Sequence, residues 1–102
     1  MSTLHTVNKS PFDRNSLATA IAHASAGDAI LLFEDAVVGA RKGCAAAAQL
    51  ASAAGYCEIF VLEPDLKARG MKSGDLADGV KTVDYGGFVD LAANHDRTCS
   101  WL

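Results

Sequence analysis

The chain has 102 residues, with twelve acidic side chains against nine Lys and Arg and a net charge of −3. That is the length of one domain, residues 1–102, and the acidic balance gives no electrostatic reason for direct nucleic-acid binding. Half of the residues are hydrophobic, yet no apolar run approaches the ~20 residues of a membrane span.

Leu4 to Val7 are strand formers that run into Asn8 and Lys9, which do not continue a buried run. Ser10-Pro11-Phe12-Asp13 then has the form of a capping box, with proline at the first helical position. The pattern predicts a helix from Pro11 to about Ser25, with Leu17, Ala20, Ile21 and Ala24 on its inner stripe and Gly27 as its stop. Ala29 to Phe33 is an unbroken apolar run, as suits a strand covered on both faces. Glu34 and Asp35 end it, and Asp35 is placed to cap a short helix over 36–40. Arg41-Lys42-Gly43 breaks the pattern.

Cys44 to Ala54 is alanine-dense and helical by propensity, and Gly55 closes it. Alanine buries little area, so this helix either lies very close to the sheet or is loosely held. Ile59 to Leu62 is a third strand. Glu63-Pro64-Asp65 starts a short helical turn that Gly70 ends, and 71–78 reads as a polar connection. Val80 to Val83 is a fourth strand. Asp84 is placed to cap a helix from Tyr85 to about His95, with Phe88, Leu91 and Ala92 inward. Gly86-Gly87 costs that helix roughly 1 kcal/mol per glycine, a cost that points to tight packing or close backbone approach. Thr98 to Leu102 is a terminal strand with the one tryptophan. The order βαβαβαβαβ with short, right-handed crossovers predicts a three-layer α/β/α domain around a mainly parallel five-stranded sheet.

In such sheets ligands bind beyond the carboxyl ends of the strands, which makes Asn8, Lys9, Ser10, Glu34 and Asp35 the candidate loop residues. Lys67 and Arg69 join Lys9 and Asn8 on one rim if strands one and three are neighbours. Paired carboxylates can do acid–base work, but an acid at that position is more often a helix cap. Three cysteines without CxxC spacing argue against a disulfide framework and a structural zinc site. Cys44 follows a basic stretch and opens a helix, a setting that favours a thiolate. Cys57 reads as a small buried hydrophobe, Cys99 as structural. His5 reads as a satisfied core or edge histidine, while His23 and His95 fall near helix C-termini, where a cation is favoured. No Ser-His-Asp order, HExxH, GxGxxG or P-loop is present, so no cofactor or metal is expected. The polar N-terminus has no signal-peptide core, which points to the cytoplasm. The residues alone thus describe an α/β domain without a complete catalytic constellation.

Four stretches add a resemblance: 5–12 (HTVNKSPF), 33–35 (FED), 65–70 (DLKARG) and 83–91 (VDYGGFVDL), followed by Trp101-Leu102. In order and spacing they resemble the DsrH/TusB family across essentially the whole chain, and the NKSPF form resembles DsrH more than TusB. The resemblance implies a DsrE-like fold. It implies a subunit of a heterohexamer with DsrE/TusD-like and DsrF/TusC-like chains. That complex relays persulfide sulfur to a DsrC/TusE-like acceptor, for sulfur oxidation or tRNA wobble 2-thiouridine synthesis. The principal sulfur-accepting cysteine then resides on the DsrE/TusD chain. Some DsrH chains carry a cysteine in the first helix, where this chain has Ala20 within 17–21.

Three readings follow. The first is a non-catalytic assembly subunit of the relay, with Tyr85, Gly86 and Gly87 and the strand-end loops as interface motifs. The second is a sulfur-carrying subunit that uses Cys44. The third is a small-ligand or regulatory module built on the Asn8-Lys9-Ser10 and Glu34-Asp35 loops.

Overall fold

Alternation of polar turns and short β-branched or leucine runs yields five strands in the computed structural model, which describes residues 2–12 and 14–101. They are β1 (Thr3–Val7), β2 (Ala29–Leu32), β3 (Glu58–Leu62), β4 (Val80–Val83) and β5 (Arg97–Trp101). All pairings are parallel, in the order β4-β3-β2-β1-β5. The helices are α1 (Ser16–His23), α2 (Ala45–Ala53), α3 (Glu63–Ala68) and α4 (Tyr85–Asn94), with 3₁₀ segments at Glu34–Ala40 and Ser73–Asp75. The α/β class and the parallel sheet agree with the sequence pattern.

Successive strand residues face opposite sides of the sheet, and the two sides are unequally covered. Val7, Ile30, Leu32, Ile59 and Val61 meet Leu17 and Ala20 of α1, the 3₁₀ segment, Ala46, Leu50 and Ala53 of α2 and Leu66 of α3. On the other side Leu4, Ala29, Leu31 and Phe60 meet Val83 and, from α4 alone, Phe88 and Leu91. Ala92, expected inward, is exposed. No residue of α4 is fully buried.

The first helix begins at Ser16, not Pro11. Residues 10–12 instead form a turn, with the Phe12 N–H donating to Ser10 Oγ at 3.2 Å; Asp13, the expected third member of the capping box, lies outside the described residues. A Cβ at Gly39 would stand 2.9 Å from Pro11 Cγ, so the proline ring seats against the 3₁₀ segment instead of opening a helix. Asp35 does not cap that segment, whose preceding residue is Phe33 and has no side-chain cap. The 71–78 connection is less polar than expected, because Met71, Leu76 and Ala77 are buried. The alanine-rich helix does lie close: Ala46, Leu50 and Ala53 face the core. The terminal strand is Arg97–Trp101, and Leu102 falls outside the described residues.

Leu50 is the one large side chain by which α2 enters the core. Leu50→Ala is expected to cost about 2–5 kcal/mol, and Ala48→Ser, on the exposed side of the same helix, within about 0.5 kcal/mol; urea unfolding of both variants measures the difference.

Candidate functional site

Parallel strands bring the candidate loops to one end of the sheet. Asn8, Lys9 and Ser10 follow β1, Glu34 and Asp35 follow β2, α3 follows β3, and Tyr85, Gly86 and Gly87 follow β4. Glu34 has φ +50°, among the described residues the one positive value outside glycine. Asp65 of α3 and Arg69, the C-cap of that helix, hold this loop: Asp65 Oδ2 accepts the Glu34 N–H at 2.6 Å, and Arg69 pairs with Asp35 at 2.8 Å. The Asp65 and Asp35 carboxylates therefore serve as anchors between the ends of β2 and β3, whereas Glu34 takes part through its backbone N–H and is exposed.

The expected rim of Asn8, Lys9, Lys67 and Arg69 does not form, because β2 stands between β1 and β3. Lys67 instead pairs with Glu63 one helical turn away. Asn8 Oδ1 is buried with no hydrogen-bond partner among the described residues. Lys9 is exposed and Ser10 is buried. At the β4 end, Asp84 caps α4 as expected, accepting the Gly87 N–H at 2.7 Å. A Cβ on Gly87 would come within 3.0 Å of Val83 Cβ, whereas one on Gly86 would meet only Asp84 Oδ1 at 3.4 Å, so Gly87 is the glycine that lets α4 start close against the end of β4. Tyr85 is 62% exposed. Phe33 and Phe88 rings, 6.1 Å apart, tie the end of β2 to α4.

Cys44 takes the N-cap position of α2 and is half-buried. With Phe12, Val38, Arg41, Lys42 and Gly43 it lines an open depression of about 440 Å³. Cys57 is buried, its Sγ donating to the Ala53 carbonyl at 3.2 Å. Burial, and then the nearby Asp28 charge, push its thiol above the ordinary range. That is the setting of an inert cysteine.

A feature the sequence did not disclose lies along β5. Asp28, just before β2, accepts three hydrogen bonds: from Thr3 N–H at 2.9 Å, from Ser25 N–H at 3.0 Å and from His5 Nε2 at 2.9 Å. His5 Nδ1 in turn accepts the Trp101 indole N–H at 3.1 Å. Burial alone would push the Asp28 carboxyl up. The Ser25 N–H, the His5 hydrogen bond, the Thr3 N–H and the attraction of His5 together outweigh burial and hold it below the ordinary carboxylate value. Trp101 also packs on His23, with ring centroids 5.1 Å apart. Between α1 and β5 these groups, with Arg97 and Cys99, border a cavity of about 490 Å³. A histidine in a strand and an aspartate before the next strand show no spacing that links them. Only the β1–β2 pairing does. No group of three or more His, Cys, Asp or Glu side chains stands in metal-binding array among the described residues.

Asp28→Asn is expected to lower stability at neutral pH by about 1.5–3 kcal/mol, the worth of hydrogen bonds to a buried charge. Because the folded-state pKa is depressed, the carboxylate's contribution is present above the ordinary carboxyl value and is lost as pH falls through the folded one. Unfolding followed by circular dichroism between pH 7 and pH 2 should show part of the wild-type acid limb missing from the variant. Gly87→Ala, which crowds Val83, is expected to lower Tm more than Gly74→Ala, where the added Cβ meets open space.

The DsrH-like protein model matches residues 9–98. Curated relatives named protein TusB, from Pectobacterium parmentieri and Erwinia tasmaniensis, are 34% identical over 98 residues, covering 96% of this chain and 99% of theirs. The crystal structure of the ychN protein from E. coli superposes with a TM-score of 0.83 at 17% identity over 99% of this chain and 100% of that one. MTH1491 of Methanobacterium thermoautotrophicum superposes with a TM-score of 0.78 at 14% identity over 97% and 96%. These two share the fold, and the family model and the TusB relatives settle the kinship that the strand-end motifs implied: the chain belongs to the DsrH/TusB family.

Proposed function

We propose that this protein is a subunit of a cytoplasmic persulfide sulfur-relay complex and acts there as an assembly subunit without a catalytic thiol of its own. DsrE/TusD-like and DsrF/TusC-like chains complete a heterohexamer, and a DsrC/TusE-like protein accepts the sulfur, for sulfur oxidation or tRNA wobble thiolation. The observation that carries this reading is the near full-length match to the DsrH-like model and to TusB relatives. The site is consistent with it. Ala20 lies in the α1 stretch where some family members have cysteine, and it is fully buried. Of the candidate acids, the Asp35 carboxylate is engaged by Arg69 in anchoring its loop. Tyr85 and Val89, one helical turn apart on α4, are 62% and 67% exposed, apolar area of the kind a neighbouring subunit covers.

The Cys44 setting supports the competing reading of a sulfur-carrying subunit, and one experiment separates the two. The tagged chain is purified from its native cells under non-reducing conditions, and the denatured masses of all co-purifying chains are measured. Reductant-removable sulfur is expected on a sister chain, unchanged when Cys44→Ser replaces the wild type. Sulfur on this chain that disappears in Cys44→Ser would transfer the carrier role to Cys44 and end the assembly-subunit reading.

A further inference from the structure

We propose that His5, Asp28 and Trp101 form a proton-operated latch on the edge strand β5, closed when His5 is neutral and opened when its Nδ1 takes up a proton. The hydrogen-bond chain defines the closed state. An indole N–H can only donate, so His5 Nδ1, 3.1 Å from Trp101 Nε1, is an acceptor and carries no hydrogen. Nε2 then carries the proton and donates it to Asp28 Oδ2 at 2.9 Å. Both ring nitrogens are used, in a side chain that is almost wholly buried.

A second proton affects the two bonds in opposite ways. At Nε2 the contact to Asp28 persists and becomes an ion pair. At Nδ1 a new N–H faces the indole N–H, two donors meet, and the bond to Trp101 is lost. Trp101 is the last residue of β5, which pairs with β1, so loss of this bond loosens the carboxyl end of an edge strand, which then relies on the packing of Trp101 against His23 and on the bond from Thr6 Oγ1 to Ser100 Oγ at 3.2 Å. The cavity that it borders, about 490 Å³ with Cys99 in its wall, then opens.

The charges around His5 set the balance. Asp28 favours the added proton. Arg97 of β5 opposes it from beside Thr3, to whose Oγ1 its Nε donates at 3.3 Å. His23 of α1 faces it across the Trp101 ring, and the Cys99 thiol stands in register with it on β5. Beyond Asp28 lies the Cys57 thiol, held neutral by burial. His23 is no substitute for the latch: its Nδ1–H donates to the Thr19 carbonyl at 2.8 Å, a bond that protonation at Nε2 leaves in place. The latch depends on no assignment of function to the chain.

The chain has one tryptophan, hence one indole N–H resonance. The test is proton–nitrogen NMR from pH 8 to pH 5, the span in which histidines ordinarily titrate, with this subunit alone labelled and any partners it carries kept in place. The indole signal is expected to move and to exchange faster with water in step with the His5 ring signals, while the amides of β2 and β3 stay put. His23→Gln keeps this transition and His5→Gln removes it. In Trp101→Phe, which deletes the opposing donor, the His5 midpoint moves to higher pH. An indole signal that stays fixed while His5 titrates, or a transition that survives in His5→Gln, overturns the proposal. Should His5→Gln not fold, an unaltered His5 midpoint in Trp101→Phe overturns it equally.

Discussion

A parallel sheet needs cover on both faces, and here the cover is lopsided. Three helices and a 3₁₀ segment pack on one face, and the ten-residue α4 packs on the other. The asymmetry follows from the strand order. Three crossovers of the same hand step from β1 out to β4, and one return through α4 carries the chain back across the sheet to the far side of β1. Right-handed connections put the three outward steps on one face and the return on the other. The central strands β1 and β2 are buried throughout, whereas α4 and β5 remain partly wet. The fully buried and the partly wet elements are thus separated within one small chain.

The same topology decides which candidate residues meet. Asp35 and Arg69 are joined because β2 and β3 are neighbours; Lys9 and Arg69 are kept apart because β1 and β3 are not. The buried hydrogen-bond chain from Asp28 through His5 to Trp101 spans the β2–β1–β5 side in the same way. It binds the last strand to the middle of the sheet by side chains as well as by backbone pairing. A carboxylate with three donors is expensive to bury unless every bond is made, and here they are made by two backbone N–H groups and one imidazole.

Much of the fold was legible because it is written in runs and breakers. The apolar stretches at 29–32 and 59–62 and the Asp84 cap stand where the pattern put them. The first helix was over-extended because a Ser-Pro start resembles a cap, whereas Pro11 is used to pack against Gly39. Of the candidate site, the strand-end placement of Asn8, Glu34 and Tyr85 was legible, since parallel strands share a carboxyl end. The anchoring roles of Asp65 and Arg69, and the pairing of His5 with Asp28, were not. They depend on which strands are neighbours, and strand order leaves no local trace in a sequence. The glycine pair at 86–87 was flagged as a close approach, and Val83 is what Gly87 approaches.

On the proposed reading this chain is one part of a larger assembly, a reading that rests on family membership and is supported by the exposed Tyr85 and Val89 on α4. Native mass spectrometry of the tagged protein isolated from its own cells tests that directly. The account predicts a hetero-oligomer in which this chain is joined by related α/β chains. A lone monomer, with no partner retained at cellular concentrations, would contradict it.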